Sequence, residues 1–255
     1  MISIVTVTYN NFNELIETLN SIPESDIVES VVINGGDCKK TKDFLENYPG
    51  KSISEKDDGI ADAFNKSIKL SSGDYIMFLN SGDILLSADY LQKAKSILDN
   101  NQDISFVHSN IVFSDQLGVD LYMKPQMKNV GFGMPYHHQT MIVRKKIFDE
   151  IGMFKTELKY AMDFDLVVRM EKKGYKGFYI DEGATVKMDG KGISVSEESN
   201  SIRECFKILR SENYFNISNT IGYIIRISLF SARKLLELTG SKILLKKLKQ
   251  IKHTT

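Results

Sequence analysis

Along the first hundred residues the spacing of apolar positions switches repeatedly between two periods. Ile2 to Tyr9 is a β-branched run that predicts a strand, and Phe12, Leu15, Ile16, Leu19 and Ile22 then fall on one face of a helix that Pro23 ends. Val28 to Asn34 predicts a second strand closed by Gly35 and Gly36, Phe44, Leu45 and Tyr48 a short helix, and Ser52 to Glu55 a third strand. A helix over Gly59 to Leu70 follows, with Ile60, Ala63, Phe64, Ser67, Ile68 and Ser71 at helical spacing and Gly73 as its stop. Tyr75 to Leu79 has no polar alternation, as expected of a strand covered on both faces. Ser87 then caps a helix carrying Leu91, Ala94, Ile97 and Leu98. Strand and helix alternate throughout, so the fold class is α/β: a Rossmann-like, mostly parallel central sheet with helices on both faces.

Beyond Ile104 the pattern changes. Strand-like segments fall at Ile104 to His108, Ile111 to Phe113, Val119 to Met123 and His138 to Arg144, and a helix at Asp165 to Lys173 is ended by Gly174. Phe178 to Ile180 and Ala184 to Met188 are further short strands, and Ser194 to Ser211, Ile217 to Leu238 and Ser241 to Lys252 read as helices. The organisation expected is a catalytic unit over 1–212, made of a nucleotide-binding part (1–103) and an acceptor-binding part (104–212), with a basic helical C-terminal extension over 213–255.

Charge refines this picture. Thirty-three Lys plus Arg balance thirty-three Asp plus Glu. From Ser201 onward, however, eleven basic residues face three glutamates, a difference of 11 − 3 = +8 that leaves −8 for the rest of the chain. An acidic body argues against nucleic acid as the main ligand, and a basic tail points to an anionic surface or partner. Ile221, Ile224, Ile225, Leu229, Leu235, Leu236 and Leu238 interleave with basic residues, and Lys246, Lys247, Lys249 and Lys252 cluster after them. Three outcomes fit: peripheral contact with a membrane, a homodimer through the C-terminal helices, or a helix folded back on its own body. Cys38 and Cys205 are too few and too separated for a disulfide framework or a thiolate zinc site. With no signal-peptide pattern and no apolar stretch near 20 residues, a cytoplasmic protein is expected, at most peripheral to the inner face of a membrane.

Candidate chemistry concentrates at strand ends, where open α/β sheets bind ligands. Asp57 and Asp58 precede a helix, and the strand Tyr75 to Leu79 delivers Asn80, Ser81, Gly82 and Asp83 at its carboxyl end, a grouping suited to a metal and a diphosphate. A strand-ending turn alone would also explain the tetrapeptide. Asp163 is placed to cap a helix beginning at Phe164 or Asp165, and Asp165 with Arg169 reads as a structural i,i+4 pair. His137 and His138, adjacent in an expected strand, point to opposite faces and do not readily share a metal. No G-x-x-x-x-G-K-[ST], G-x-G-x-x-G or G-x-S-x-G is present, which counts against ATPases, dinucleotide oxidoreductases and serine hydrolases.

Four blocks in order, SIVTVTYNN, the stretch Ser54 to Asp83, YHHQTMIVRKKIFDEIGMF and YAMDFDLVVRM, resemble the family-2 glycosyltransferases of GT-A fold, nearest to the bacterial branch that builds capsule, exopolysaccharide and other surface glycans. The resemblance covers about Ile2 to Ser194. It implies an inverting hexosyltransferase that moves a sugar from a nucleotide-sugar donor, expected to be a UDP-sugar, to a glycan or lipid-linked glycan acceptor. Thr8, Tyr9, Asn10 and Asn34 would hold base and ribose, with Asp58 and Asn65 near the ribose or diphosphate. Asn80 and Ser81 would stand at the diphosphate, and Asp83 would hold Mn²⁺ or Mg²⁺, although Asn80 and Gly82 occupy places where the family usually has aspartate. The resemblance makes Asp163 the base that takes the acceptor hydroxyl proton, puts His138 and Gln139 on the acceptor side, and reads Asp189 with the following GKGIS as a loop closing over donor. Two rivals are weighed: a nucleotidyltransferase, whose basic glycine-rich first loop TVTYNNFNEL lacks, and a non-catalytic GT-A-like partner subunit.

Overall fold

The structure is a computed structural model that describes residues 1–115, 118–126, 129–190 and 197–238. The expected loop 191–194 and the expected helix 241–252 lie outside the described residues. The first half follows the strand–helix alternation: β1 (Ile2–Thr8), α1 (Phe12–Ser21), β2 (Val28–Asn34), α2 (Lys39–Leu45), β3 (Lys51–Ser54), α3 (Ile60–Leu70), β4 (Tyr75–Phe78), the two-residue β5 (Ile84–Leu85) and α4 (Ala88–Asn100). The second half comprises β6 (Ile104–Ser114), β7 (Asp120–Met123), β8 (Ile142–Arg144), α5 (Lys146–Ile151), α6 (Met162–Lys172), β9 (Lys176–Asp189), α7 (Glu198–Ser211) and α8 (Ile217–Leu238).

One sheet collects all described strands in the order β3-β2-β1-β4-β8-β6-β9-β5, with β7 added beside β6. Pairing is parallel through β3, β2, β1 and β4. It turns antiparallel where β8 joins β4 and β6, and parallel again between β6 and β9. Every residue of β1 is buried, and its alternation feeds two cores. Val5 and Val7 pack with Phe64 and Ile68 of α3, while Ile2 and Ile4 pack with Tyr90, Leu91, Ala94 and Leu98 of α4. A strand covered on both faces has no place for a charged alternation, which is why β4 is apolar throughout and β1 carries only the small hydroxyls of Ser3, Thr6 and Thr8 between its apolar residues.

Several boundaries differ from the sequence reading. Two expected strands fuse into β6, which survives register shifts between Ile104 and Phe106 and between His108 and Ile111 because β9 accommodates them. β9 likewise joins two expected strands. The expected strand from His138 begins instead as a 3-10 turn, His138–Thr140, with β8 starting only at Ile142. The argument that His137 and His138 alternate across a strand therefore fails, since neither lies in one. Helix α6 begins at Met162, so Asp163 sits inside its first turn and the cap position is Ala161, which provides no side-chain hydrogen bond.

The first part of the C-terminal extension is folded back on the body. A 3-10 turn at Val130–Phe132 lies against α8, and two glycines allow the backbones to meet. A Cβ on Gly131 would lie 2.2 Å from the Asn219 carbonyl oxygen, and one on Gly222 would lie 2.8 Å from the Phe132 ring. Asn129 Nδ2 donates to Ser218 Oγ at 2.6 Å. The opposite face of α8 exposes Ile217, Ile221, Ile224, Ile225, Leu229 and Leu235. Gly131→Val is expected to cost about 1–3 kcal/mol, the usual penalty of overpacking, and to loosen α8. A lowered Tm with faster proteolysis inside 217–238 checks this; an unchanged Tm would mean that the contact is not tight.

Candidate active site

Parallel register brings Thr8, Asn34 and Ser54 level at one edge of the sheet, and the turn after β4 joins them. Above this edge opens a cavity of about 860 Å³, within the range of small-molecule sites. Its wall includes Thr8 and Tyr9 after β1, Asp57 and Asp58 before α3, and Asn80, Ser81 and Asp83 after β4. His138 and Gln139 come from the 3-10 turn before β8, Lys159, Tyr160 and Asp163 from the entry to α6, and Asp189 from the end of β9.

At the end of β1 Tyr9 stands 73% exposed, an open aromatic face. The loop behind it is fixed by Asn11, whose Oδ1 accepts from Thr8 Oγ1 at 2.5 Å and from the Tyr9 N–H at 3.1 Å. Asn10 has φ 57°, a left-handed conformation that asparagine tolerates, and its Oδ1 accepts the N–H groups of Asp37 and Cys38 at 2.9 Å each. Asn34 is fully buried, donating to Ser54 Oγ and accepting from the Gly36 N–H. Neither Asn10 nor Asn34 lines the cavity; both shape its floor through backbone. Asn65 stands further away, its amide clamping the backbone of Phe154 in both directions at 2.8 and 3.0 Å. Asp57 instead lies so close to Gly35 that a Cβ there would be 2.2 Å from its Oδ2, and Lys66 Nζ holds it at 2.7 Å.

The turn Asn80–Asp83 is bolted to α1. Gly82 N–H donates to Thr18 Oγ1 at 2.9 Å, and Thr18 Oγ1 in turn donates to the Asn80 carbonyl. Gly82 has φ 102°, a conformation costly for a side-chain-bearing residue, which gives a physical reason for glycine in this place. Asp83 is only 4% exposed. Its two oxygens accept long hydrogen bonds from the N–H groups of Asn80 and Asp189, at 3.2 and 3.3 Å. Burial pushes its carboxyl up to about 7, opposed by those two hydrogen bonds and reinforced by the charge of Asp189. Two carboxyl groups lining one cavity wall and near enough for one charge to raise the other's pKa are hard oxygen donors of the kind that suit Mg²⁺ or Mn²⁺. Among the described residues no group of three His, Cys, Asp or Glu side chains could hold a metal ion, so further ligands would have to come from a phosphate-bearing substrate.

At the other end, Asp163 Oδ1 accepts the Phe164 N–H at 2.8 Å, with the carboxylate on the cavity wall. The His138 ring stacks on Phe78, with centroids 5.4 Å apart and planes 16° apart, and lies 5.8 Å from the Phe64 ring. Burial lowers its pKa below the usual histidine range and the charge of Asp163 opposes that shift, so the imidazole enters the site neutral. Three covered polar atoms of the wall, Asn80 Oδ1, Ser81 Oγ and His138 Nε2, have no hydrogen-bond partner, and a polar ligand would supply one. The Asp165–Arg169 pair is structural: Nε donates to Oδ2 at 2.7 Å, and the guanidinium also holds the carbonyls of Ile151, Gly152 and Met153. Sequence reading missed Asp57 as the better-held acid of its pair, as well as Lys159 and Tyr160. Only the antiparallel pairing of β5 with β9 explains why Asp189 meets the Asn80–Asp83 turn.

The sequence model described as Glycosyl transferase family 2 matches residues 3–159. An uncharacterized glycosyltransferase of Methanocaldococcus jannaschii, MJ1057, is 26% identical over 200 residues, which are 71% of this chain and 68% of that protein. Among solved structures, S. aureus TarS in complex with UDP-GlcNAc is similar over 82% of this chain and 64% of that one, with a TM-score of 0.63 at 18% identity. The mannosyltransferase PcManGT of Pyrobaculum calidifontis, in complex with GDP-Man and Mn²⁺, is similar over 98% of this chain and 82% of that one, with a TM-score of 0.63 at 15% identity. The chain thus spans just under two thirds of the TarS chain that it resembles.

The titration of Asp83 has a measurable sign. Its folded value lies above the ordinary 3.8, so its contribution to stability is fully present below that value and is lost as pH rises through about 7. Asp83→Asn removes the titration and, independently of pH, one backbone acceptor. Between pH 5 and pH 8 the Tm of the variant relative to the parent is expected to rise by about 5 °C in thermal unfolding without added metal. A difference that stays constant with pH would show that the buried carboxyl does not titrate in this range.

Proposed function

The chain belongs to glycosyl transferase family 2, and from that premise we propose that it is an inverting enzyme that transfers a sugar from a nucleotide-sugar donor, a UDP-sugar first among the candidates, to a glycan or lipid-linked glycan acceptor. The observation that carries this reading is the cavity at the carboxyl edge of the sheet, with the Asp83–Asp189 pair in one part of its wall and Asp163 beside His138 in another. TarS with UDP-GlcNAc and PcManGT with GDP-Man and Mn²⁺ share the fold and support a nucleotide-sugar donor.

In the proposed reaction Tyr9 covers the base, Thr8 and Asp58 stand toward the ribose, and the groups around Asn80 and Ser81 meet the diphosphate. Asp83 and Asp189 would hold Mn²⁺ or Mg²⁺, which when bound would neutralise charge on the departing diphosphate. The acceptor hydroxyl oxygen attacks the anomeric carbon from the face opposite the nucleotide. The bond from that carbon to the phosphate oxygen breaks, its electron pair leaves with the nucleoside diphosphate, the hydroxyl proton passes to Asp163, and the anomeric configuration inverts. His138, neutral and adjacent, and Gln139 would orient acceptor or donor hydroxyls through hydrogen bonds. Residues 1–103 would serve the donor and 104–212 the acceptor, except that Asp189 reaches back from the second part to Asp83, where the donor's metal would sit, and the outward apolar face of α8 with the basic tail gives a surface for a peripheral membrane or a second copy. No helix among the described residues is long and apolar enough to cross a membrane.

Asp163→Asn is expected to reduce turnover by about 10²–10⁴-fold, the range for losing a general base, while nucleotide-sugar affinity stays within a factor of about two. Affinity falling in step with rate would move Asp163 to a binding role, and an NMR spectrum showing a retained anomeric centre would rule out direct displacement. The cation has its own test. EDTA should abolish the thermal stabilisation given by a nucleoside diphosphate and Mn²⁺ should restore it, with uridine alone unaffected; stabilisation that survives chelation would remove the metal from the proposal.

A further inference from the structure

The entry to α6 is held by a side chain from a distant element. Glu204 lies half-buried on α7, beside the face whose Ser201, Ile202, Cys205, Ile208 and Leu209 are buried. Its Oε1 accepts the Lys159 N–H at 3.1 Å, and its Oε2 accepts the Tyr160 and Ala161 N–H groups at 2.6 and 2.7 Å. Three consecutive backbone donors thus converge on one carboxylate, a charge-assisted arrangement stronger than neutral hydrogen bonds. Of these only the Ala161 N–H is an orphan donor of the helix itself. The first helical bond runs from the Asp165 N–H to the Ala161 carbonyl, so the amides of 159 and 160 belong to the loop before α6. What Glu204 fixes is the path of that loop.

That path matters because of what it carries. Lys159 and Tyr160 both line the cavity, and Asp163 follows two residues after the last anchored amide. Lys159 is the one Lys or Arg of the cavity wall among the described residues, where Glu14, Asp57, Asp58, Asp83, Asp163 and Asp189 supply six carboxyl groups. The far end of the loop is pinned separately: Lys155 Nζ bridges Asp165 and Glu212, at 2.8 Å each. The stretch between these two anchors has its course set by them.

We propose that Glu204 is a positioning residue: by binding the amides of residues 159–161 it sets Lys159, Tyr160 and Asp163 in register with the donor bound on the opposite wall. The inference rests on the reading of Asp163 as the base. Glu204 is not among the residues that line the cavity and acts through the loop. A displacement of about 1 Å at a reacting group costs up to about 10²-fold in rate without touching affinity at the other end of the site.

Glu204→Gln in the full chain tests this, because a glutamine keeps the length but presents one oxygen and an NH₂ group that faces backbone donors. The substrates are UDP-GlcNAc, UDP-glucose and GDP-mannose, with water as acceptor and nucleoside diphosphate release as the signal. The expected result is a kcat lowered by about 10-fold or more, well below the unfolding temperature of the variant, with donor KM unchanged. Hydrogen exchange on the same samples should show faster exchange of the amides 159–161 and no change at the β1 end of the site. A residue with a merely structural role would lower Tm and leave kcat unchanged at low temperature, which would overturn the proposal, as would unaltered exchange at 159–161. Should Glu204→Gln unfold, Glu204→Asp, which keeps the charge and shortens the reach, carries the same readouts. A parent protein inactive with every donor would overturn the functional reading and this inference with it, whereas an active parent, an inactive Asp163→Asn and an unimpaired Glu204→Gln would overturn this inference alone.

Discussion

Parallel pairing of β1 with both β2 and β4 is the constraint on which the site depends. It runs without a register shift from Ile2 against Val28 to Thr8 against Asn34, so the ends of these strands arrive together and their connections must turn at one edge. The strands are buried on both faces, and a shift of one residue would exchange the Val5–Val7 core with the Ile2–Ile4 core. The energy that fixes this register is hydrophobic. Its consequence is polar, because chain leaving a fully buried strand must satisfy its backbone at once. Thr18, Asn10, Asn11 and Asn34 do this, and in doing so they make the floor of the cavity rigid.

Charge distribution then limits what the cavity can receive. Lys66 Nζ lies within 2.7–3.1 Å of Asp57, Glu55 and Asp62, and this network gathers the acids of the lower lip around one cation. Asp83 has no such cation beside it among the described residues: backbone N–H groups reach its oxygens, and burial with the neighbouring charge of Asp189 lifts its pKa to about 7. A polyanionic ligand entering there meets like charge unless a cation or a proton comes with it. The end around the entry to α6 differs, with Lys159 in the wall and His138, its pKa lowered by burial, packed against the rings of Phe78 and Phe64. The two ends of one cavity therefore favour chemically different groups, which suits a reaction between a charged donor and an uncharged hydroxyl.

The sequence was most legible where local pattern and global fold agree. The run of elements from Ile2 to Asn100 could be read from local pattern, because β1, β2 and β4 are rich in β-branched or apolar residues and the longer helices present one apolar stripe. Thr8, Tyr9, Asp58, Asn80, Ser81, Asp83, Asp163, His138 and Gln139 share one cavity because each lies at an element end along the same sheet edge. Reading failed for specific reasons. Asn65 carries no local sign that the backbone of Phe154 occupies its amide. The bulges that fuse two expected strands into β6 arise from pairing with β9, and the turn at His138 arises where β8 starts late, so neither is a property of the segment itself. The start of α6 was misplaced because no side-chain cap marks it.

That missing cap points to a wider division in the molecule. One end of the cavity is built from strand ends, whose geometry the sheet supplies, whereas the other is built from the segment 151–161, which no ladder holds. Precision there comes from side chains that spend their polar groups on backbone: Asn65 on Phe154, Arg169 on the carbonyls of 151–153, and Glu204 on the amides of 159–161. Each such hydrogen bond with an ionised partner contributes about 1.5–3 kcal/mol, enough to select one loop path among several. Asn65 and Glu204 stand 89 and more than 40 residues from the segments they hold. Substitutions in α3, α6 or α7 can therefore reshape the end of the cavity at 151–161 without altering any residue that lines it, while the hydrophobic register keeps the end at the sheet edge constant.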